Sequence, residues 1–358
     1  MSRLTTLRPA LLVRGLLARR SRPRLDALAG ETDAERFVWA ILPHAARSFS
    51  ASIVVLPREK ARAAAVAYLY CRMLDTYEDL HPDLEDRVAA LGRFAARFGP
   101  DLMEPPPPIP ATLVEDDRDR LHLLLVARCA SVDEVYRTLP GPVRASIVRL
   151  VAAMAAGMAS ATRAMARQGG VLADDDQLDG YCHSVIGHPA VFVLELMENR
   201  EPSAADRADA FAVSEMIQLA NITRDIERDL RRGIAYHPLL APHVGGKTVS
   251  EQAAAVRLVR RTLTRRALER APAFRRLYES SGVQGRPGAR LAAVLMLLFT
   301  DLHYRRMARR VGLTSWPGPR TKAGVVVSAL PAVVSQRRAD AFVARIERTF
   351  AAAADRLV

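Results

Sequence analysis

Two short stretches place aspartates four residues apart on otherwise apolar, Ala-rich ground. In "CRMLDTYEDL" (71–80) these are Asp75 and Asp79. In "LANITRDIERDL" (219–230) they are Asp225 and Asp229, with Asn221 one turn earlier. A helix advances ~3.6 residues per turn, so each set shares a face. Carboxylates held ~4 Å apart at an effective dielectric near 20 repel by about 4 kcal/mol, so a cation or a proton must offset them. Hard oxygen ligands in pairs, with no His or Cys beside them, select a hard divalent ion such as Mg2+. Magnesium usually bridges one or two carboxylates to substrate phosphates, so a phosphate or diphosphate substrate is expected. Arg72 lies one turn before Asp75, and Arg224 immediately precedes Asp225. Guanidinium groups suit bidentate phosphate recognition. A single Asp–Arg pair at helical spacing is ordinarily a solvated surface pair. Two such sets, each flanked by small and aliphatic residues, favour a site.

The elements that must position these side chains are helices. Ala, Leu, Arg and Glu dominate, and apolar residues recur at three- and four-residue spacing in "REKARAAAVAYLYCRMLDTYEDL" and "RADAFAVSEMIQLANITRDIERDL". Runs of β-branched residues are short, as in "ASIVVLP" (51–57) and "AGVVVSAL" (323–330), and no glycine-rich dinucleotide-binding turn is present. Pro- and Gly-rich breaks fall at 81–86, 103–110, 139–142, 167–170, 237–247, 281–288 and 315–320. They punctuate helices and are too short to be domain linkers; the proline run at 105–108 is expected to be a surface connection. The expected architecture is one all-α domain of roughly ten helices over residues 31–358, preceded by a basic extension over 1–30.

Half of the 358 residues are apolar and 25% are charged, which suits a large core and excludes disorder. The formal charge is +13, and only three of the 52 basic residues are lysines (Lys60, Lys247, Lys322). The arginines are dispersed and no zinc-finger or aromatic RNA-binding pattern accompanies them, so an anionic small molecule or anionic lipid is preferred to nucleic acid. The first 30 residues carry seven arginines before the first acid, Asp26. Arg8 and Arg14 break their apolar runs, so this segment makes a poor secretory signal and suits either an anionic membrane surface or a frayed tail. No other uninterrupted apolar stretch of spanning length is evident, and a cytoplasmic protein, peripheral at most to the inner membrane face, is expected. Three scattered cysteines imply no disulfide framework.

Together the motifs resemble the squalene/phytoene synthase family, which joins two prenyl diphosphates head to head. "ARSFSASIVVLP" (46–57) resembles the family's Ser-Arg-Ser-Phe opening, with Ala46 in place of the first serine. "YLYCRMLDTYEDL" resembles its first acidic motif, "LDGYCHSVIGHPAVFV" (178–193) its Tyr-Cys-His helix, and "NITRDIERD" (221–229) its second acidic motif. The resemblance spans about 45–240, and more weakly continues to about 310. It implies a helical bundle around a central cavity. Asp75 and Asp79 would hold magnesium on one diphosphate; Asn221, Asp225 and Asp229 would do so at the opposite wall. It further implies that Arg47, Ser48, Arg72 and Arg224 grip phosphate oxygens and that Tyr181 sits near the reacting carbons. Tyr304 in "DLHYRRM" would be a later diphosphate contact. Metal and arginines would stabilise the departing diphosphate, and a dry pocket would protect the carbocation. Phe49, Tyr77 and Phe192 are candidates to stabilise positive charge, with ordinary core packing as the plainer role for each.

"LDTYED" and "YCH" are more similar to squalene synthases than to phytoene synthases. The expected reaction is therefore condensation of two farnesyl diphosphates through presqualene diphosphate to squalene or a related thirty-carbon product. Phytoene synthesis from geranylgeranyl diphosphate, a single-substrate terpene cyclase, a non-catalytic relative and a membrane scaffold are the alternatives. "RRGIAYHP" (231–238) and Ile186-Gly187-His188-Pro189 depart from the family pattern, which leaves chain length and NADPH use open. Pro189 is expected to bend its helix beside Tyr181. His183 and His188 are expected to be hydrogen-bonded helix residues, Cys182 a buried thiol, Glu78 a solvated acid and Asp174–Asp176 a helix cap.

Overall fold

The computed structural model describes residues 24–46, 48–98, 104–245 and 249–357. Among them are seventeen α-helices and no strand, with an isolated parallel bridge between Val171 and Ala235. The all-α expectation holds, with more and shorter helices than the sequence suggests. Packing separates the chain into two compact units, Met1–Ala159 and Ser160–Val358, inside the range expected to be one domain.

The first unit contains α1 (Leu25–Ala29), α2 (Ala34–Ala46), α3 (Ser48–Val54), α4 (Arg58–Leu80), α5 (Leu84–Ala96), α6 (Asp117–Ala127) and α7 (Cys129–Arg137). Helix α8 (Gly141–Arg167) begins in it. Helix α4 carries the first acidic motif and packs against α2, α5, α6 and α7. Pro57 precedes its first turn, and it stops at His81, because Pro82 disfavours helical geometry in the residue before it. Asp83 then caps α5, its carboxylate accepting from the Asp86 amide at 2.8 Å. Leu69, Tyr70, Met73, Leu74 and Tyr77 on α4 are fully buried, so one face of the helix is locked while Arg72, Asp75 and Asp79 lie off it.

An ion pair inside this unit fixes the chain that follows α5. Arg97 and Asp133 are both buried, with Arg97 Nη2 donating to Asp133 Oδ2 at 2.6 Å and Tyr70 donating to Oδ1 at 2.7 Å. Arg97 Nε also donates to the Glu104 carbonyl at 2.7 Å, and Tyr77 donates to the Pro107 carbonyl at 2.5 Å. The proline stretch is therefore tied into the core at Pro107, which is buried, and is more than a surface connection.

The second unit contains α9 (Asp175–Cys182), a π turn (His183–Gly187), α10 (His188–Glu198), α11 (Ala204–Arg231), α12 (Val249–Leu268), α13 (Ala271–Ser280), α14 (Pro287–Met307), α15 (Lys322–Ala329), α16 (Pro331–Val334) and α17 (Gln336–Asp355). Helix α11 carries the second acidic motif and is packed by α9, the π turn, α10, α12, α13 and α14. Ser203 and Asp206 cap it reciprocally, and Asp174 caps α9 by accepting from the Gln177 amide at 2.8 Å, as its sequence position implies. The β-branched runs at 51–57 and 323–330 lie largely in α3 and α15, so tertiary packing overrides their strand preference.

Two further expectations resolve here. Helix α8 is long and apolar enough by length and composition to cross a membrane, a window missed in the sequence, yet half of that window is buried within the protein. All three cysteines are buried free thiols.

Candidate functional site

Helix α4 presents the first acidic motif. Arg72 Nη1 lies 3.0 Å from Asp75 Oδ2, one turn along the same face, and both side chains are largely covered. Burial pushes the Asp75 carboxyl up to about 6, Arg72 opposes that rise, Asp79 reinforces it and Arg118 opposes it again. Asp79 is exposed one turn later, and Glu78 is half-buried off the shared face. Arg72 also donates from Nη2 to the Tyr68 hydroxyl at 3.0 Å, and its guanidinium carbon lies 5.8 Å from the Tyr68 ring centroid. The Tyr68 ring packs 5.7 Å from Phe49, which brings the start of α3, and with it Ser48, into this neighbourhood. Arg47 lies outside the described residues.

The second motif is built on α11. Arg224 forks onto Asp225, Nε donating to Oδ1 at 2.7 Å and Nη2 to Oδ2. Asn221 donates to Gln218 Oε1 at 3.1 Å on the same side chain row. His303 on α14 stands against this pair: burial drives its imidazole down to about 3, Arg224 adds to the fall, and Asp225 opposes it. Its buried Nε2 has no hydrogen-bond partner.

The end of α11 explains how Tyr236 joins the motif. Gly233 takes φ +81°, and the Ile234 and Gly233 amides turn back onto the Asp229 and Leu230 carbonyls at 2.9 and 3.1 Å. Glycine tolerates this left-handed closure at little cost, where a side chain would be strained. The emerging chain is pinned by Ala235, which bonds to the Gly170 carbonyl and the Leu172 amide. Tyr236 then lies in an apolar crevice with Asp229, Ile222, Ile226 and Leu263. Its hydroxyl donates to that of Tyr181 at 3.4 Å, with ring centroids 5.2 Å apart.

Tyr181 sits just before the π turn, whose hallmark is the His188 amide bonding to the His183 carbonyl five residues back. Pro189 has no amide proton to give, so the helix changes pitch here, as its presence in the sequence suggests. Gly187 lets the turn approach α11: a Cβ there would lie 2.6 Å from Phe211 Cδ1. His183 stacks on Phe211 at 4.6 Å and pairs with buried Glu215 at 3.1 Å, while His188 meets Phe211 edge-on. Both histidines are therefore packing residues. Cys182 is fully buried, and burial pushes its thiol far up, so it is inert.

Some candidates change role. Tyr304, expected as a diphosphate contact, is fully buried and its hydroxyl donates to the Met216 carbonyl at 2.7 Å, so it braces α14 on α11. Tyr77 is likewise spent on Pro107 and packs on Phe94, which leaves the plainer role. Tyr68, Arg118, Tyr236 and His303, which the structure sets beside the motif residues, were not singled out from the sequence. Tyr68 had a usable signal, because it lies one turn before Arg72 on the same face.

Whether magnesium fits can be judged from the donors present. Among the described residues no group of three or more His, Cys, Asp or Glu side chains forms a closed metal site. Each motif instead offers paired carboxylates beside an arginine, an open donor set of the kind that needs substrate oxygens to complete it. Burial is what chiefly raises the Asp75 carboxyl, with Arg72 opposing and Asp79 reinforcing the rise, so a cation bound there would favour its ionised form. The donors fit a hard divalent ion shared with phosphate.

Residues 42–322 match the family model described as Squalene/phytoene synthase. Two curated relatives are both called presqualene diphosphate synthase. That of Rhodopseudomonas palustris is 27% identical over 57% of this chain and 62% of its own length. That of Zymomonas mobilis is 26% identical over 53% of this chain and 56% of its own. The match thus spans less than two thirds of either relative. Complexes of TcSQS with the ligands E5700 and BPH1237 align over 92% of this chain and 100% of theirs, with TM-scores of 0.63 and 0.62 at 16% and 18% identity. At that identity the likeness is one of fold.

Proposed function

Because the chain belongs to the squalene/phytoene synthase family, we propose that it joins two prenyl diphosphates head to head, with farnesyl diphosphate as substrate and presqualene diphosphate as product. The observation that carries the proposal is the repetition of one device: a carboxylate pair on a helix with an arginine forked or leaning onto it, at Arg72–Asp75 and at Arg224–Asp225. Two diphosphates require two such devices. The name shared by the two curated relatives supports presqualene diphosphate over products formed beyond it.

In this scheme Asp75 and Asp79 serve one diphosphate, and Asn221, Asp225 and Asp229 the other. When bound there, magnesium would neutralise the leaving group as the allylic carbon–oxygen bond ionises. Arg224 can transfer its forked donors, and Arg72 its Nη1 contact, from carboxylate to phosphate, since each acceptor offers two oxygens to the planar guanidinium. Ser48 and Arg47 would add donors beside the first motif. Loss of diphosphate from one substrate leaves an allylic cation, which the double bond of the second attacks. A proton then leaves and the cyclopropane closes. The paired rings of Tyr181 and Tyr236 would offer electron-rich faces to the cation, and their contacting hydroxyls would pass on the proton. The cation would need dry surroundings, and the side chains packed around Tyr236, Ile222, Ile226 and Leu263, are apolar.

A product analysis by mass spectrometry tests this, with geranyl, farnesyl and geranylgeranyl diphosphates each supplied with magnesium, with and without NADPH. Presqualene diphosphate from farnesyl diphosphate, unchanged by NADPH, is the expected result. Squalene appearing only with NADPH would extend the reaction by a reductive step. Phytoene, cyclic products or no turnover would overturn the assignment.

A further inference from the structure

We propose that α15 and α16 form a docking face for an anionic lipid surface. The two short helices expose Val327, Leu330 and Val334, which are 65%, 47% and 76% accessible. Their spacing of three and four residues sets them in one stripe, continued by exposed Ala323. Their inward residues Val325, Val326, Ala329 and Ala332 are buried, against α14 and one another. The outward stripe is thus a second apolar face on helices whose first face is already covered. Scattered exposed hydrophobics need no explanation, whereas an aligned set does.

Charge identifies the occupant. The chain has no acidic residue between Asp301 and Asp340, and eight basic ones in that interval. Arg320 stands before the stripe and Arg337 and Arg338 after it, all exposed. Arg306, also exposed, reaches across to the Arg320 carbonyl at 3.3 Å, so the end of α14 adds to the same basic rim. The flanking acids are occupied elsewhere: Asp301 is buried against Arg305 and Trp316, and Asp340 accepts from Tyr278 at 3.1 Å. A second copy of the chain would set these cations against one another. An acidic headgroup layer above an acyl boundary complements both the rim and the stripe. Lys322–Val334 is too short to span a bilayer, which takes about 20 residues, so the element lies on the surface.

The inference does not depend on the proposed reaction. Its test is co-sedimentation of the full chain with vesicles of phosphatidylglycerol and phosphatidylcholine in equal parts, or of phosphatidylcholine alone, with light scattering in vesicle-free solution. Binding to the anionic vesicles is expected. The triple variant Val327→Gln, Leu330→Gln, Val334→Gln should keep its thermal transition, because all three side chains are exposed, and lose about tenfold or more in partitioning. Arg337→Gln with Arg338→Gln should weaken binding and flatten its salt dependence. A triple variant that binds like the parent would overturn the proposal, since another surface would then carry the binding. So would a parent dimer that the triple variant converts to monomer, or a parent that ignores both vesicle types.

Discussion

The Arg72 guanidinium lies 3.0 Å from the Asp75 carboxylate across one turn of α4, yet burial still pushes that carboxyl up to about 6. An aspartate in an unfolded chain titrates near ~3.9, so the folded protein holds this proton more tightly. The group therefore costs nothing at low pH, and its ionisation costs stability as pH rises through the interval from about 4 to about 6. Asp75→Asn is neutral throughout. In the metal-free protein it should add about 1–3 kcal/mol of stability near pH 8, a gain that vanishes near pH 4. It should also lower diphosphate release from farnesyl diphosphate by about a thousandfold or more. Thermal melts at both pH values and a pyrophosphate assay check this; retained turnover would remove Asp75 from the site.

Two glycines near Tyr181 should respond in opposite directions to the same substitution. A Cβ at Gly187 would meet Phe211 at 2.6 Å and Ser214 Oγ at 3.2 Å, while one at Gly180 would meet nothing within 4 Å. Gly187→Ala is expected to destabilise by about 1–3 kcal/mol through overpacking of the π turn on α11. Gly180→Ala, inside α9, should stabilise by about 0.5–1 kcal/mol through the backbone entropy it removes. Urea unfolding of both variants makes the comparison.

Helical class, the two acidic motifs and their arginines were legible because each depends on spacing within one helix. Asp75 with Arg72, and Asp225 with Arg224, need no knowledge of the rest of the chain. Residues delivered by tertiary structure were hidden. Tyr236 reaches Tyr181 only through the left-handed turn at Gly233 and the pinning of Ala235, and His303 meets the second motif from another helix. Tyr304, expected from the family resemblance as a diphosphate contact, lies sealed in the core with its hydroxyl donating to the Met216 carbonyl, a placement that only tertiary packing reveals. The division of contacts at residue 159 falls within the continuous helix α8, where no break in composition announces it.

Glu215 supplies a pH test away from the acidic motifs. It is buried, and burial works against its ionisation. Hydrogen bonds from His183 and Arg270, the latter at 2.7 Å, outweigh that and hold the carboxyl below its usual range. A lowered folded value means the stabilisation is present above the unfolded value of ~4.3 and disappears as pH falls through the folded one. Glu215→Gln should cost about 2–4 kcal/mol near neutral pH, because Arg270 loses its counter-charge. The gap between variant and parent should narrow below the unfolded value and close only once pH has fallen through the depressed folded one. Denaturant midpoints across this range decide it, and a gap that persists into acid would assign the loss to packing.

The Tyr181–Tyr236 contact allows the proposed chemistry to be probed without disturbing the fold. Tyr236→Phe keeps the ring 5.2 Å from Tyr181 and removes one hydroxyl of the pair, which are 3.4 Å apart. The stability change should stay within about 1 kcal/mol, the worth of a single weak hydrogen bond. If the two hydroxyls act as one unit on the proton lost at ring closure, Tyr236→Phe and Tyr181→Phe should each reduce presqualene diphosphate formation by about ten- to a hundredfold. The double variant should then be little worse than either single one, because removing either member already disables the pair. Diphosphate release should fall less than product formation in all three, with the cation diverted to alcohol, since in the proposed reaction ionisation falls to the acidic motifs and not to these rings. Product ratios by mass spectrometry give the answer: losses that multiply in the double variant would mean that the hydroxyls serve separate steps.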